Sequence, residues 1–156
     1  MIANYFHKKK IVLVGPSPHL VGKKLGSFID SFDLIIRINE IGVVPEMYED
    51  YGSRTDISFL TLSDEAVEIY SVMKKEVDYK NLKLIVHPRH EYNLNPLTQL
   101  EKTKNINEYY QSLKLDIEFF HIKEPTFEER CKIFKCFPGT GSLAIFEILK
   151  HDFSEL

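Results

Sequence analysis

Short runs of apolar residues alternate with longer stretches of helical spacing along the whole chain, and this alternation predicts the fold class. Lys10–Gly15 is a continuous apolar run ended by Gly and Pro, as in a strand buried on both faces. Asp33–Asn39, Asp56–Leu62, Leu82–His87 and Asp116–His121 read the same way. Between them, a good N-cap residue at Ser63 opens a helix whose Ala66, Ile69, Tyr70 and Met73 share a face. Residues 96–113 predict a weaker helix, broken near Asn105. Pro125–Phe134 begins with Pro where its missing N–H does no harm. Gly141–Lys150 is the most apolar helix, with Leu143, Ile145, Phe146, Ile148 and Leu149. Strands alternating with helices imply parallel pairing and a three-layer α/β sandwich around a mostly parallel, Rossmann-like sheet. No repeat or low-complexity linker divides it, so 1–156 reads as one domain.

Composition narrows the function more than the fold. The 156 residues hold 44% hydrophobic and 28% charged side chains, ordinary globular values, and no apolar run is long enough to cross a bilayer. The net charge of −3 provides no excess of positive charge to neutralise a nucleic-acid backbone. Cys131 and Cys136 match no zinc spacing and read as two free thiols. The basic residues of MIANYFHKKK follow its apolar ones, the reverse of a signal peptide, so a cytoplasmic location is expected.

Ligands of an open parallel sheet bind beyond the carboxyl ends of its strands. After the first strand, Gly15 permits close approach to the backbone, Ser17 offers a hydroxyl, and Lys23 and Lys24 offer charge, as in a phosphate site. Neither G-x-G-x-x-G nor G-x-x-x-x-G-K-[ST] is present, and Pro16 and Pro18 remove two donors. A rigid proline-rich turn explains the same residues. Asn39 and Glu40 close the second strand, where a ribose is commonly read; a turn-forming Asn is the alternative. Arg54, in Tyr51–Asp56, suits a phosphate or carboxylate, or a structural bridge. Phe137–Ser142 leads into the apolar helix with glycines on both sides of Thr140, presenting amides and the positive end of the helix dipole to an anion. A Thr or Ser cap accounts for part of that pattern without a ligand. His87, His90 and His121 lie at or just past strand ends.

Taken together, these stretches resemble glycosyltransferase family 29, the eukaryotic-type sialyltransferases. IVLVGPSPHLVGKKLGSFIDSFDLIIRIN followed by EDYGSRTDISF, within residues 11–59, resembles the large sialylmotif, and FPGTGSLAIFEILK, residues 137–150, resembles the small one. The resemblance implies a GT-A-like sheet and metal-independent, inverting transfer of an acidic sugar, sialic acid or Kdo, from a CMP-activated donor to a glycan acceptor, with no cofactor beyond the donor. It implies that Gly15, Ser17 and His19 line the nucleotide loop, that Asn39 contacts the nucleotide, and that Gly139, Thr140 and Gly141 face the donor. Ser53 and Arg54 become possible donor or phosphate contacts.

The departures are specific. Pro16 and His19 stand where the family has Asn, and Gly139 replaces the Ser of the small motif's Pro-Ser-Thr-Gly. The cysteines that join the two motifs fall on Ile11 and about Asp152, so that disulfide cannot form. The family's catalytic base lies in a later His-x4-Glu; here the nearest pattern is His151 with Glu155 four positions on, and no catalytic residue is assigned. A non-catalytic CMP-binding module and another Rossmann-type nucleotide-dependent enzyme are the alternatives.

Overall fold

A computed structural model describes residues 2–61, 80–87, 117–122, 126–136 and 138–156. Five strands, β1 (Ile11–Val14), β2 (Leu34–Ile38), β3 (Ile57–Phe59), β4 (Leu84–His87) and β5 (Glu118–His121), lie side by side in chain order. Every neighbouring pair is parallel, with Ile11 opposite Leu34, Ile36 opposite Ile57, Ile57 opposite Leu84 and Leu84 opposite Glu118. Each strand falls inside a run predicted from apolar pattern, shortened by one to three residues where polar flanks leave the ladder. The helix predicted from Ser63 and the one predicted over 96–113 lie outside the described residues.

Five helices are described: α1 (Ala3–Phe6), α2 (Gly26–Asp30), α3 (Tyr48–Tyr51), α4 (Thr126–Phe134) and α5 (Thr140–Ile148). The last two match the predicted helices at 125–134 and 141–150. The first three are about one turn each, too short for a 3.6-residue repeat to register.

Because side chains alternate across a strand, the sheet has two distinct faces. Ile11, Leu34, Ile36, Ile38, Ile57, Phe59, Leu84 and Val86 meet Ile2 and Phe6 at the N-terminus and Ala144 and Ile148 of α5. On the other face, Val12, Val14 and Ile35 meet Ile29 of α2 and Leu20. The result is the three-layer α/β sandwich. Two helices from opposite ends of the chain close one side, and the first crossover closes the other.

Two local devices fix the crossovers. Gly26 is buried where α2 meets α3, and a Cβ there would lie 1.9 Å from the Tyr48 carbonyl oxygen, so only glycine fits. Asp30 then reaches across to the turn before β3. Its carboxylate accepts from the Ser53 amide at 2.8 Å, the Ser53 hydroxyl at 2.9 Å and the Arg54 amide at 3.2 Å. Gly52 makes this possible with φ +75, and a Cβ there would stand 2.6 Å from the Asp30 Oδ1.

The edge of β1 is paired with the C-terminal segment. The Ile11 amide donates to the Glu155 carbonyl at 2.7 Å, Ser154 to Lys9 at 2.9 Å, and Lys8 to Asp152 at 3.1 Å. At the two positions where the resemblance places cysteines, the segments are joined by main-chain hydrogen bonds instead. Cys131 and Cys136 are both free thiols.

Candidate functional site

The loop after β1 is held from within and from across the fold. The Ser17 amide donates to the Gly15 carbonyl at 2.8 Å, and the Tyr51 hydroxyl of α3 donates to the Ser17 carbonyl at 2.6 Å. Pro18–Leu20 forms a 3-10 turn, with the His19 amide directed at the Ser17 Oγ, 3.4 Å away. Gly15 has no positive φ and no described atom within 4 Å of where a Cβ would stand. Gly139 and Gly141 share both properties. Among the described residues, neither backbone conformation nor packing requires glycine at these three places, in contrast with Gly26 and Gly52. Glycine suits the N-cap position that Gly139 holds, and at Gly15 and Gly141 it leaves the backbone open to close approach.

Beyond β2 and β3, two of the predicted residues are joined by a third. Asn39 sits in the left-handed region with φ +55, which Asn tolerates better than most residues. Its Oδ1 accepts from the Thr61 amide at 3.1 Å, fixing the side chain and leaving its Nδ2 as the donating face. The Thr61 hydroxyl in turn shares a 2.6 Å hydrogen bond with the Thr140 hydroxyl at the start of α5. Thr61 was missed from sequence because it reads as the tail of an apolar strand. Its signal was its place: the polar residue at the carboxyl end of a predicted strand.

The start of α5 differs from the capped helix that sequence allowed. Gly139 is the N-cap residue and provides no side-chain cap, while the Thr140 hydroxyl is spent on Thr61. The first amides of a helix have no partner inside it. Here they lie beside open glycine backbone at the carboxyl end of the sheet, with the positive end of the helix dipole.

A cleft of about 290 Å³ lies between the loops that follow β1 and β2. Pro16, Ser17, Val43, Met47 and Tyr51 line it, and Glu40 is its acidic member. Behind Glu40, Arg37 is completely buried in the sheet face. Its Nη2 donates to the carbonyl oxygens of Tyr51 at 2.7 Å and Arg54 at 3.0 Å, and its Nε donates to the Thr55 hydroxyl at 3.0 Å. Burial pushes the Arg37 guanidinium below its ordinary value, against the nearby carboxylates, and pushes the Glu40 carboxyl above its own, against the pull of Arg37.

Other predicted residues lie elsewhere. His19 lines a second groove of about 300 Å³ along β1, which it shares with Gly15, Ser17, Leu25 and Phe28. Ser53 is clamped by Asp30, and Arg54 is consumed by the fold: its Nη1 donates to the carbonyls of Asp30 and Phe32, and its Nη2 meets Asp56 at 3.0 Å. These partners precede β2 and β3, at the opposite ends of the strands from Asn39 and Thr61. Of the two lysines read as phosphate partners, Lys24 pairs with Glu49 at 3.0 Å, and the amides of Gly22 and Lys24 are tied to Asp50. Those amide bonds hold the Asp50 carboxyl below its usual range.

His87 is buried at the end of β4, its Nδ1 2.9 Å from the Leu60 carbonyl. His121 ends β5, and His90 lies outside the described residues. His151 lies past the end of α5 opposite Thr140, stacked on Phe6 at 5.0 Å and 3.6 Å from Glu147.

No curated protein matches the chain. The sequence model of glycosyltransferase family 29 (sialyltransferase) matches residues 6–134. That span takes in β1 and its glycine-serine loop, the Asp30 clamp, Arg37, Asn39 and the Gly52–Arg54 turn; the stretch at 137–150 lies beyond it. A match over most of the chain makes it a member of glycosyltransferase family 29, the sialyltransferases.

Proposed function

We propose that the carboxyl end of the sheet binds a CMP-activated acidic sugar, sialic acid or Kdo, and transfers it to a glycan acceptor. The observation that carries this reading is the set of three glycines, Gly15, Gly139 and Gly141, which no contact among the described residues requires and which border the same end of the sheet as Asn39 and Thr140. The uncapped start of α5 provides amides for an anion, so the donor phosphate belongs there. Ser17 and the Asn39 Nδ2 are the nearby groups suited to the nucleoside and its linkage.

In the transfer, an acceptor hydroxyl oxygen attacks the anomeric carbon from the side opposite CMP. The bond from that carbon to the phosphate oxygen breaks with its electron pair, and a base takes the hydroxyl proton. Negative charge grows on the departing phosphate, where the α5 amides and dipole stabilise it most. This step needs no metal, since fixed dipoles supply the charge stabilisation. Two free thiols suit the reducing cytoplasm.

Incubation of the purified chain with CMP-sialic acid or CMP-Kdo, with and without glycan acceptors, tests the reading by release of CMP. Release that rises with an acceptor is the expected result. CMP binding without release would instead support a non-catalytic nucleotide module. That second reading draws on the position of His151, whose nearby Glu147 and Phe6 place it at the end of α5 remote from Thr140.

A further inference from the structure

We propose that Glu40 reads the sugar of the bound nucleotide, its carboxylate accepting from the ribose 2′- and 3′-hydroxyls in the cleft between the loops after β1 and β2. The proposal rests on the nucleotide reading above and names the group that selects a ribonucleotide.

Placement is the first argument. Glu40 stands two residues past the end of β2, across the cleft from Pro16, Ser17 and Pro18 of the loop that follows β1. In parallel sheets that hold a nucleotide across their carboxyl ends, an acidic side chain at this point meets ribose hydroxyls.

The chemistry of the cleft is the second. Pro16, Val21, Val43, Val44 and Met47 give it apolar walls, and Pro16 and Pro18 contribute no amide donors. Arg37, the nearest cation, is wholly buried behind Glu40 and does not line the cleft. A phosphate placed here would face a carboxylate without a compensating cation. The part of the ligand that enters must therefore be uncharged, present a weakly polar surface to the walls and bring its own hydrogen-bond donors. A ribose does so, with two hydroxyls on adjacent carbons that can both donate to one carboxylate.

Positioning is the third. The Glu40 carbonyl accepts from the Ser58 hydroxyl, which fixes the backbone. Among the described residues the Glu40 Oε2 and the Arg37 Nη1 are buried with no hydrogen-bond partner, and they face each other at 3.9 Å, within ion-pair range but beyond hydrogen-bond distance. Arg37 is held by its other nitrogens on the loop before β3, so it orients the carboxylate without consuming it in a hydrogen bond. Buried polar atoms without partners are rare, and here two of them face each other next to a cleft.

The test compares CMP with 2′-deoxy-CMP by calorimetric titration of the wild-type chain, E40A and E40Q. The wild type should bind CMP about tenfold more tightly than the deoxy form, as expected for one buried hydrogen bond to a charged group. E40A should bind CMP and 2′-deoxy-CMP equally, because it has lost the acceptor that tells the 2′-hydroxyl from hydrogen. E40Q, nearly isosteric and retaining one acceptor, should fall between, and it guards against a folding defect in E40A. A change that only loosens the fold would weaken both ligands alike and leave their ratio at the wild-type value, which overturns the proposal. Equal binding of the two ligands by the wild type overturns it too. A variant that instead loses preference for CMP over UMP moves Glu40 to the base and also overturns it. Absence of CMP binding by the wild type would sink the nucleotide reading itself, and this assignment with it.

Discussion

Asn39 does two things that usually fall to different residues. Its backbone turns through the left-handed region as β2 ends, and its Oδ1 accepts from the Thr61 amide, so the strand end and the binding donor are set by one side chain. Thr140 is bound to the same point through the Thr61 hydroxyl. Asn39→Ala should weaken CMP binding by about 1–3 kcal/mol, the cost of losing a buried hydrogen bond, and Thr140→Ala should weaken it by releasing the start of α5 from Thr61. Titration calorimetry measures this; unchanged affinity in both variants would break the residue assignments and leave the fold standing. Both residues were legible because each sits where a predicted element meets its loop. Arg54 was not, since a Gly-Ser-Arg-Thr turn looks the same in sequence whether its guanidinium faces a ligand or the carbonyls of Asp30 and Phe32. The partner that decides the matter lies more than twenty residues away.

Elements that depend on their own pattern were read well, and elements that depend on a distant contact were not. All five β2 positions are buried and four of them are apolar, so the run announced the strand despite Arg37. By contrast, α2 and α3 exist as a pair because Gly26 lets one backbone rest on the other. The packing of α4 on α5 has the same character. Arg130, buried in α4, donates from Nη2 to the Glu147 carboxylate of α5, which Lys150 also meets at 3.1 Å. Burial alone would raise the Glu147 carboxyl; Lys150 and Arg130 outweigh it and hold the group below its ordinary 4.5. A carboxyl lowered by folding stabilises the fold above its unfolded value and loses that contribution as pH falls through the lowered one. Glu147→Gln should therefore cost about 3 kcal/mol at pH 7, because it leaves a buried guanidinium without its charge partner. The difference from wild type should shrink below pH 4.5 as the native carboxyl protonates. Thermal unfolding followed from neutral to acid pH checks this, and an equal gap at both ends would contradict it.

At the scale of the molecule, the strand order brings no reversal to create a crevice between strands, since β1 to β5 follow one another across the sheet. The crevice arises because helices approach from opposite faces. The loop after β1 leads toward α2 on one face, while α5 arrives on the other and presents its first turn to Thr61. The family match ends at residue 134, so the contribution of α5 to the site rests on this geometry. Nuclear magnetic resonance of the isotope-labelled chain titrated with CMP tests that convergence most directly. The account predicts saturable shifts of the Gly15, Ser17, Asn39, Glu40, Thr61, Thr140 and Gly141 amides, with Ser53, Arg54 and His151 unmoved. Shifts centred on the Asp30 clamp or around His151, or none at millimolar CMP, would contradict it.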